Sequence, residues 1–221
     1  MQNERILTYR LRGNRITEAQ EAALSAHWQK YGLPNETKLD LGEIFPEEKG
    51  YKTRILEIGF GMGEATALLA KDFPETAFLA VEVHRPGVGK LCARLEENQS
   101  DNVRILHNDI IDVLNQQLAD QSLDGVHIFF PDPWPKKRHI KRRLITPEFL
   151  RLLYPKIKPG GFIHVATDWV PYAEFILKSF AEVKEFEGGE VPRPSWRPVT
   201  RFEGQGLDKE HRVTDLRYKK L

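Results

Sequence analysis

The stretch "RILEIGFGMGE", Arg54 to Glu64, decides the fold. "RILEIG" has the length and apolar content of a short buried strand. Gly59, Gly61 and Gly63 follow, and "EATALLAKDF" then carries Ala67, Leu68 and Phe73 at helical spacing. A strand that passes through a glycine turn into a helix opens a βαβ unit. Downstream the alternation continues: "AFLAVEV" precedes a helix around "GKLCARLEEN", and "VRILHND" precedes a helical piece near 110–118. "DGVHIFF" is followed by a helix near 146–154, and "GGFIHVATD" by one over about 170–182. Short strands separated by helices predict a mostly parallel sheet covered on both faces. Past these, "EVPRPSWRP" reads as a Pro-rich loop and "HRVTDLRYKK" as a late antiparallel strand. Upstream of Arg54 the pattern differs. Arg5, Arg10, Arg12 and Arg15 mark a basic arm, and "TEAQ" (Thr17 to Gln20) has the form of a capping box. A helix over roughly 18–30 is expected, stopped by Gly32 and Pro34. The chain therefore divides into an arm plus helix over 1–50 and an α/β domain over 51–221, with no internal repeat.

In an open α/β sheet, ligands bind beyond the carboxyl ends of the strands. Glycines after the first strand let backbone approach a ligand, with the next helix's N–H groups facing it. Their spacing is G-x-G-x-G, not the dinucleotide G-x-G-x-x-G. Glu82 ends the second strand, 19 residues after Gly63. An acid near that distance can accept hydrogen bonds from both ribose hydroxyls of an adenosine-containing cofactor. Asp109 ends the third strand and Asp132 the fourth. Glu57, an acid inside an apolar strand, is costly to bury without a partner. A ligand's amino or sulfonium group would supply one. Sterics alone explain many glycine turns, and a lone Glu at a strand end is often just solvated. Neither explains four successive strands ending in placed polar features.

After the fourth strand, "FFPDPWPKKRHIKRR" (Phe129 to Arg143) breaks off abruptly. Pro131, Pro133 and Pro135 fix φ and remove donors, so the segment is a stiff loop presenting Asp132 and Trp134. Trp134 can stack on a purine or pack the loop onto the domain. Residues 136–143 carry six Lys or Arg while the whole chain nets only +1, so the remaining residues sum to −5. This cationic spot is an electrostatic footprint for a polyanion, which the pI of about 7.9 conceals.

Composition bounds the rest. With 221 residues, 40% hydrophobic and 29% charged, the chain fits one ordinary globular domain with an extension. A single cysteine, Cys92, excludes an internal disulfide and a four-cysteine zinc site, and no metal is expected. No apolar run approaches the ~20 residues that cross a bilayer, and "MQNERILTYR" lacks a signal-peptide core. A cytoplasmic protein with no membrane partner is the expectation; a monomer and a homodimer both fit.

Taken in order, "LEIGFGMG", "VEVH", "HND", "FFPDPWPKKRHIKRR", "ATDW" and "TRFE" closely resemble the bacterial tRNA (guanine-N7)-methyltransferases over most of the chain. The glycine turn is common to class I methyltransferases; the "PDPWPKKRHIKRR" block and "TRFE" are far more specific. The resemblance implies a Rossmann-like class I methyltransferase fold. Its mostly parallel seven-stranded sheet would carry helices on both faces and a late antiparallel strand. It implies S-adenosyl-L-methionine as cofactor and methylation of the variable-loop guanine of tRNA. On that basis Glu57, Glu82, Asp109 and Asp132, with Gly59, Gly61 and Gly63, would contact the cofactor. Lys136, Asp168 and Thr200, Arg201, Phe202 and Glu203 would meet the substrate, and Arg138, His139, Ile140, Lys141, Arg142 and Arg143 would touch RNA. Guanine N7 carries a lone pair and no proton, so Asp132 is expected to act electrostatically and not as a general base. Glu203 or Asp168 suits reading the guanine N1–H and amino group, and Lys136 a phosphate or the O6 edge. Two rivals remain: a class I methyltransferase acting on an exocyclic amine of another nucleic acid, and a non-catalytic RNA-binding module on a Rossmann-like core. The missing second proline in a D/N-P-P-aromatic frame counts against the first. Intact Gly59, Gly61, Gly63 and Glu82 count against the second.

Overall fold

A computed structural model describes residues 6–10, 15–199 and 213–221. Seven strands form one sheet: β1 (Thr53–Ile58), β2 (Thr76–Val81), β3 (Val103–Leu106), β4 (Leu123–Phe129), β5 (Ile157–Thr167), β6 (Phe186–Val191) and β7 (Thr214–Lys220). Their order is β3-β2-β1-β4-β5-β7-β6, with β1 to β5 parallel and β7 antiparallel to both neighbours. The expected parallel sheet with a late antiparallel strand is thus present. The order of strands along the sheet reverses between β1 and β4, which is where open α/β sheets bind ligands.

Alternation along the strands builds two apolar layers. Leu56, Ile58, Leu79, Val81, Val126, Ile128, Ile163, Val165, Leu216 and Tyr218 face one side. There they meet α5 (Ile110–Asp112), α6 (Pro147–Leu153) and α7 (Val170–Ala181). On the other side Ile55, Phe78, Ala80 and Ile105 meet α1 (Glu18–Tyr31), α3 (Glu64–Asp72) and α4 (Arg85–Glu97). The α1 helix starts at the predicted capping box: Gln20 Oε1 accepts from Thr17 N at 2.9 Å and Thr17 Oγ1 from Gln20 N at 3.3 Å. Just past its end, Leu33 N donates to Ile105 O at 2.9 Å, which covers the open edge of β3. A short helix, α2 (Leu41–Ile44), follows, and Leu39, Leu41 and Phe45 join the core, so residues 15–50 pack against the sheet.

Two elements add detail to the expectation. The piece near 110–118 is one helical turn followed by a π-turn over Val113–Gln117. And "FEGGEV" forms β6, paired along β7 from Phe186↔Lys220 to Val191↔Asp215. Its two glycines and mostly unburied side chains carry no strand signal on their own; pairing with β7 is what makes it a strand.

Candidate active site

The carboxyl ends of β1, β2 and β3 lie level, since Ile58 pairs with Val81 and Val81 with Leu106. Gly59, Gly61 and Gly63 after β1 all sit in the left-handed region, at φ 74, 58 and 69. A side chain there would be strained. Space around Gly59 and Gly61 is open where a Cβ would stand, whereas at Gly63 it would strike Leu91 at 2.7 Å. The first two glycines thus leave open space beside the turn, and the third lets α3 pack on α4.

Glu82 stitches this turn in place. Its Oε2 accepts from Gly61 N at 2.7 Å, and Oε1 accepts from Val83 N at 2.8 Å and His84 N at 2.9 Å. Burial pushes its pKa up, against the pull of those amides. A carboxylate has about four acceptor positions, so one remains for a ligand hydroxyl. Glu57 is 2% exposed and its Oε2 has no hydrogen-bond partner. Burial pushes its pKa up to about 7, against the pull of the neighbouring Thr66 hydroxyl and with the charge of Glu82 adding to the rise. No hydrogen bond of good geometry joins Thr66 Oγ1 to Oε2. A buried acid with an unpartnered oxygen beside an open glycine turn fits a cation, and the ammonium of an aminoacyl chain or a sulfonium satisfies it. S-adenosylmethionine carries both, together with a ribose for Glu82. Asp109 is 7% exposed and caps α5 by accepting from Ile111 N at 2.8 Å. Beside it, Asn108 Oδ1 accepts from Asp109 N at 2.8 Å, and Asn108 Nδ2 donates to Gln117 Oε1 at 3.2 Å. Gln117, on the π-turn, ties this corner to Pro34 O and Thr37 O at 2.9 and 3.2 Å.

Asp132 follows β4, half-buried, between two bulky residues in the left-handed region, Phe130 at φ 53 and Trp134 at φ 45. Such backbone persists only where the surroundings over-determine it. Phe130 N donates to Ala166 O at 2.8 Å. Trp134 is 4% exposed and donates from Nε1 to Thr8 O at 3.0 Å. Arg142 lies over its ring at 4.9 Å, Arg10 at 5.4 Å, and His139 is edge-on at 5.6 Å. Trp134 therefore packs the loop onto the domain. Asp168 stands one residue past β5, half-buried, beside the end of β4 through the Phe129↔Ala166 pairing.

The basic run forms a 3-10 turn over Lys137–Arg142. Lys136, Arg138 and Lys141 are exposed, and His139, Ile140 and Arg142 are half-buried. Partial burial, then the cations Arg138, Arg142, Arg10 and Lys136, hold His139 below its ordinary pKa. Arg143 differs from its neighbours in the run. Expected to touch RNA, it is 5% exposed and turned inward. Its Nε donates to Pro133 O at 2.9 Å and Nη1 to Pro171 O at 3.4 Å, over the rings of Tyr172 and Phe175. It braces the loop from beneath. Thr200, Arg201, Phe202 and Glu203 lie outside the described residues. Sequence reading missed a buried cluster, His164, Asp215 and Arg197; the acid inside "VTDLRYKK" was its one signal, by the same logic that marked Glu57.

A mostly parallel sheet reversing at β1/β4, a glycine turn, and a buried acid beside it fit a class I S-adenosylmethionine-dependent methyltransferase. Solved structures agree on the fold: the 16S rRNA methyltransferase KamB superposes with a TM-score of 0.60 at 16% identity, covering 83% of this chain and 95% of that one. An aminoglycoside-resistance methyltransferase gives 0.56, again at 16% identity, with the same 83% and 95% coverage. A family model described as a putative methyltransferase matches residues 52–216. Curated tRNA (guanine-N(7)-)-methyltransferases from Streptomyces avermitilis and Nitrosospira multiformis are each 48% identical, over 98% and 97% of this chain and 76% and 94% of their own lengths. One from Neisseria meningitidis serogroup A is 46% identical over 98% of this chain and 91% of its own. The chain belongs to the tRNA (guanine-N7)-methyltransferase family.

Proposed function

We propose that this protein transfers a methyl group from S-adenosylmethionine to N7 of the variable-loop guanine of tRNA. The observation that carries the reading is the unpartnered Glu57 oxygen beside the Gly59–Gly63 turn, on the same sheet edge as Asp132 and the cationic turn. When bound, the cofactor supplies an electrophilic methyl carbon on a sulfonium. The guanine N7 lone pair would form the new C–N bond, with the C–S bonding pair left on sulfur. Positive charge thus passes from sulfur to the purine, and no proton moves. Glu57 would hold the cofactor's cationic end and Glu82 its ribose; Asp109 would complete the adenosyl side. Asp132 stabilises charge that arrives on the purine and helps fix the in-line approach; holding donor and acceptor in near-attack geometry is worth ~7–11 kcal/mol across the site as a whole.

Lys136, Asp168 and Thr200 to Glu203 are proposed to bind the guanine and its phosphate, with Asp168 or Glu203 accepting from N1–H and the amino group. Arg138, Lys141 and Arg142 with Arg10 form the RNA ledge, with His139 and Ile140 between them. Contacts of this kind give affinity and register without reading sequence. No described helix is long and apolar enough to cross a membrane, and the cytoplasm, where tRNA resides, is the proposed location. The test is direct: incubate the protein with methyl-labelled S-adenosylmethionine and unmodified tRNA, then probe for alkali-labile N7-methylguanine. Label on adenine, or no label, contradicts the reading.

A further inference from the structure

Asp215, at the start of β7, is 2% exposed and receives two parallel hydrogen bonds from one guanidinium. Arg197 Nε donates to Oδ1 at 2.8 Å and Nη2 to Oδ2 at 2.9 Å. His164 Nε2, on β5, meets the same Oδ1 at 2.8 Å. Although burial pushes the Asp215 carboxyl up, the hydrogen bonds from His164 and Arg197 and their charges hold it below its ordinary value. Arg197 itself is wholly buried. Removing two charges from water is unfavourable unless geometry compensates, so such a pair commonly serves to fix one arrangement.

Three features say what is fixed. Arg197 and Asp215 are 18 positions apart, so their ion pair fixes the turn over 193–197 to the start of β7. Asp215 pairs with Ala166 across β5 and β7, directly beneath the rim that carries Asp168. The Arg197 guanidinium also lies over the Phe130 ring at 5.7 Å, and Phe130, at φ 53, begins the turn into Asp132. Trp196 adds a second hold, stacked on His127 at 5.1 Å and 17°. The turn over 193–197 is closed by Arg193 Nη2 donating to Arg197 O, so it seats Trp196 and Arg197 together on the sheet.

We infer that Arg197 and Asp215 are positioning residues for methyl transfer: a bidentate clamp anchored on His164 that sets Phe130, and through it Asp132, against the cofactor edge. This rests on the activity proposed above. Neither residue touches a reacting atom. The clamp differs from a general packing role in needing the planar two-pronged donor, which lysine lacks.

The test compares wild type with Arg197→Lys, which keeps the charge and loses the fork. Single-turnover transfer to saturating tRNA, dissociation constants for S-adenosylmethionine and tRNA, melting temperature, and deuterium exchange at the Phe130 amide are measured together. Expected is a transfer rate lower by about 10- to 100-fold, as small misplacements produce. Both dissociation constants should stay within about threefold, and Phe130 exchange should quicken by about tenfold or more. A wild-type rate in folded Arg197→Lys overturns the clamp, as does a rate loss matched by equal losses of both affinities and of melting temperature. Wild type that fails to methylate tRNA removes the proposed activity instead; Phe130 exchange then decides the clamp alone, unchanged protection refuting it. If Arg197→Lys does not fold, Arg197→Gln with Asp215→Asn removes both charges at once and takes the same readouts.

Discussion

Glu57 combines a stability penalty with a function. Its carboxyl rises from an ordinary 4.5 to about 7 on burial. Below pH 4.5 it is neutral folded or unfolded. Between 4.5 and 7 only the unfolded chain ionises it, so the unliganded protein loses stability as pH rises, by roughly 3 kcal/mol at ~1.36 kcal/mol per unit. Cofactor affinity runs the other way, because only the ionised carboxylate attracts the ligand's cation. That affinity should fall about tenfold per unit below pH 7 through this group. Thermal melts and calorimetry of Glu57→Gln should therefore show a higher unliganded melting temperature at about pH 8 together with weakened, pH-independent cofactor binding. A lowered melting temperature would contradict the account. Asp132→Ala should slow transfer by about 10²–10³-fold, the scale on which removing one preorganised electrostatic group acts on a transition state, while tRNA binding measured by filter retention stays within a fewfold. The acids at strand ends were legible because each interrupts an apolar run. Asp215 sits in a mixed strand where an acid is a weaker signal than Glu57 in its apolar run, and its partner arrives from a Pro-rich loop 18 positions earlier.

At the scale of elements, the turn over Lys137–Arg142 and the loop before it divide the cations into outward and inward sets. Neutralising Arg138 and Lys141 together should reduce the slope of log K against log salt by about two, one for each phosphate that no longer meets a cation. Arg143→Ala should leave that slope unchanged and instead lower the melting temperature and the transfer rate, because Pro133 O and Pro171 O lose their donor. Titration of tRNA binding between low and moderate salt separates the two outcomes. A basic run reads from sequence as uniformly exposed; which member turns inward depends on α7 presenting Tyr172 and Phe175 beneath it. Parallel strands were legible because both faces are buried and the runs are continuously apolar. β6 was not, since "FEGGEV" becomes a strand only through its register with β7.

Across the whole molecule, an acidic body carries one cationic ledge beside a cofactor edge. Net charge near zero keeps long-range attraction weak, while the local field of the basic run is the proposed means of steering RNA toward Asp132. Residues 15–50 seal β3 and supply Pro34 and Thr37 to the corner around Asn108, so the segment before the α/β core belongs to the architecture of the site. The most direct measurement is a crystal structure with S-adenosylhomocysteine. Its amino group should lie within hydrogen-bonding distance, about 3 Å, of Glu57 Oε2, and a ribose hydroxyl at Glu82. An adenosyl group bound elsewhere, with Glu57 Oε2 still unpartnered, would contradict the account.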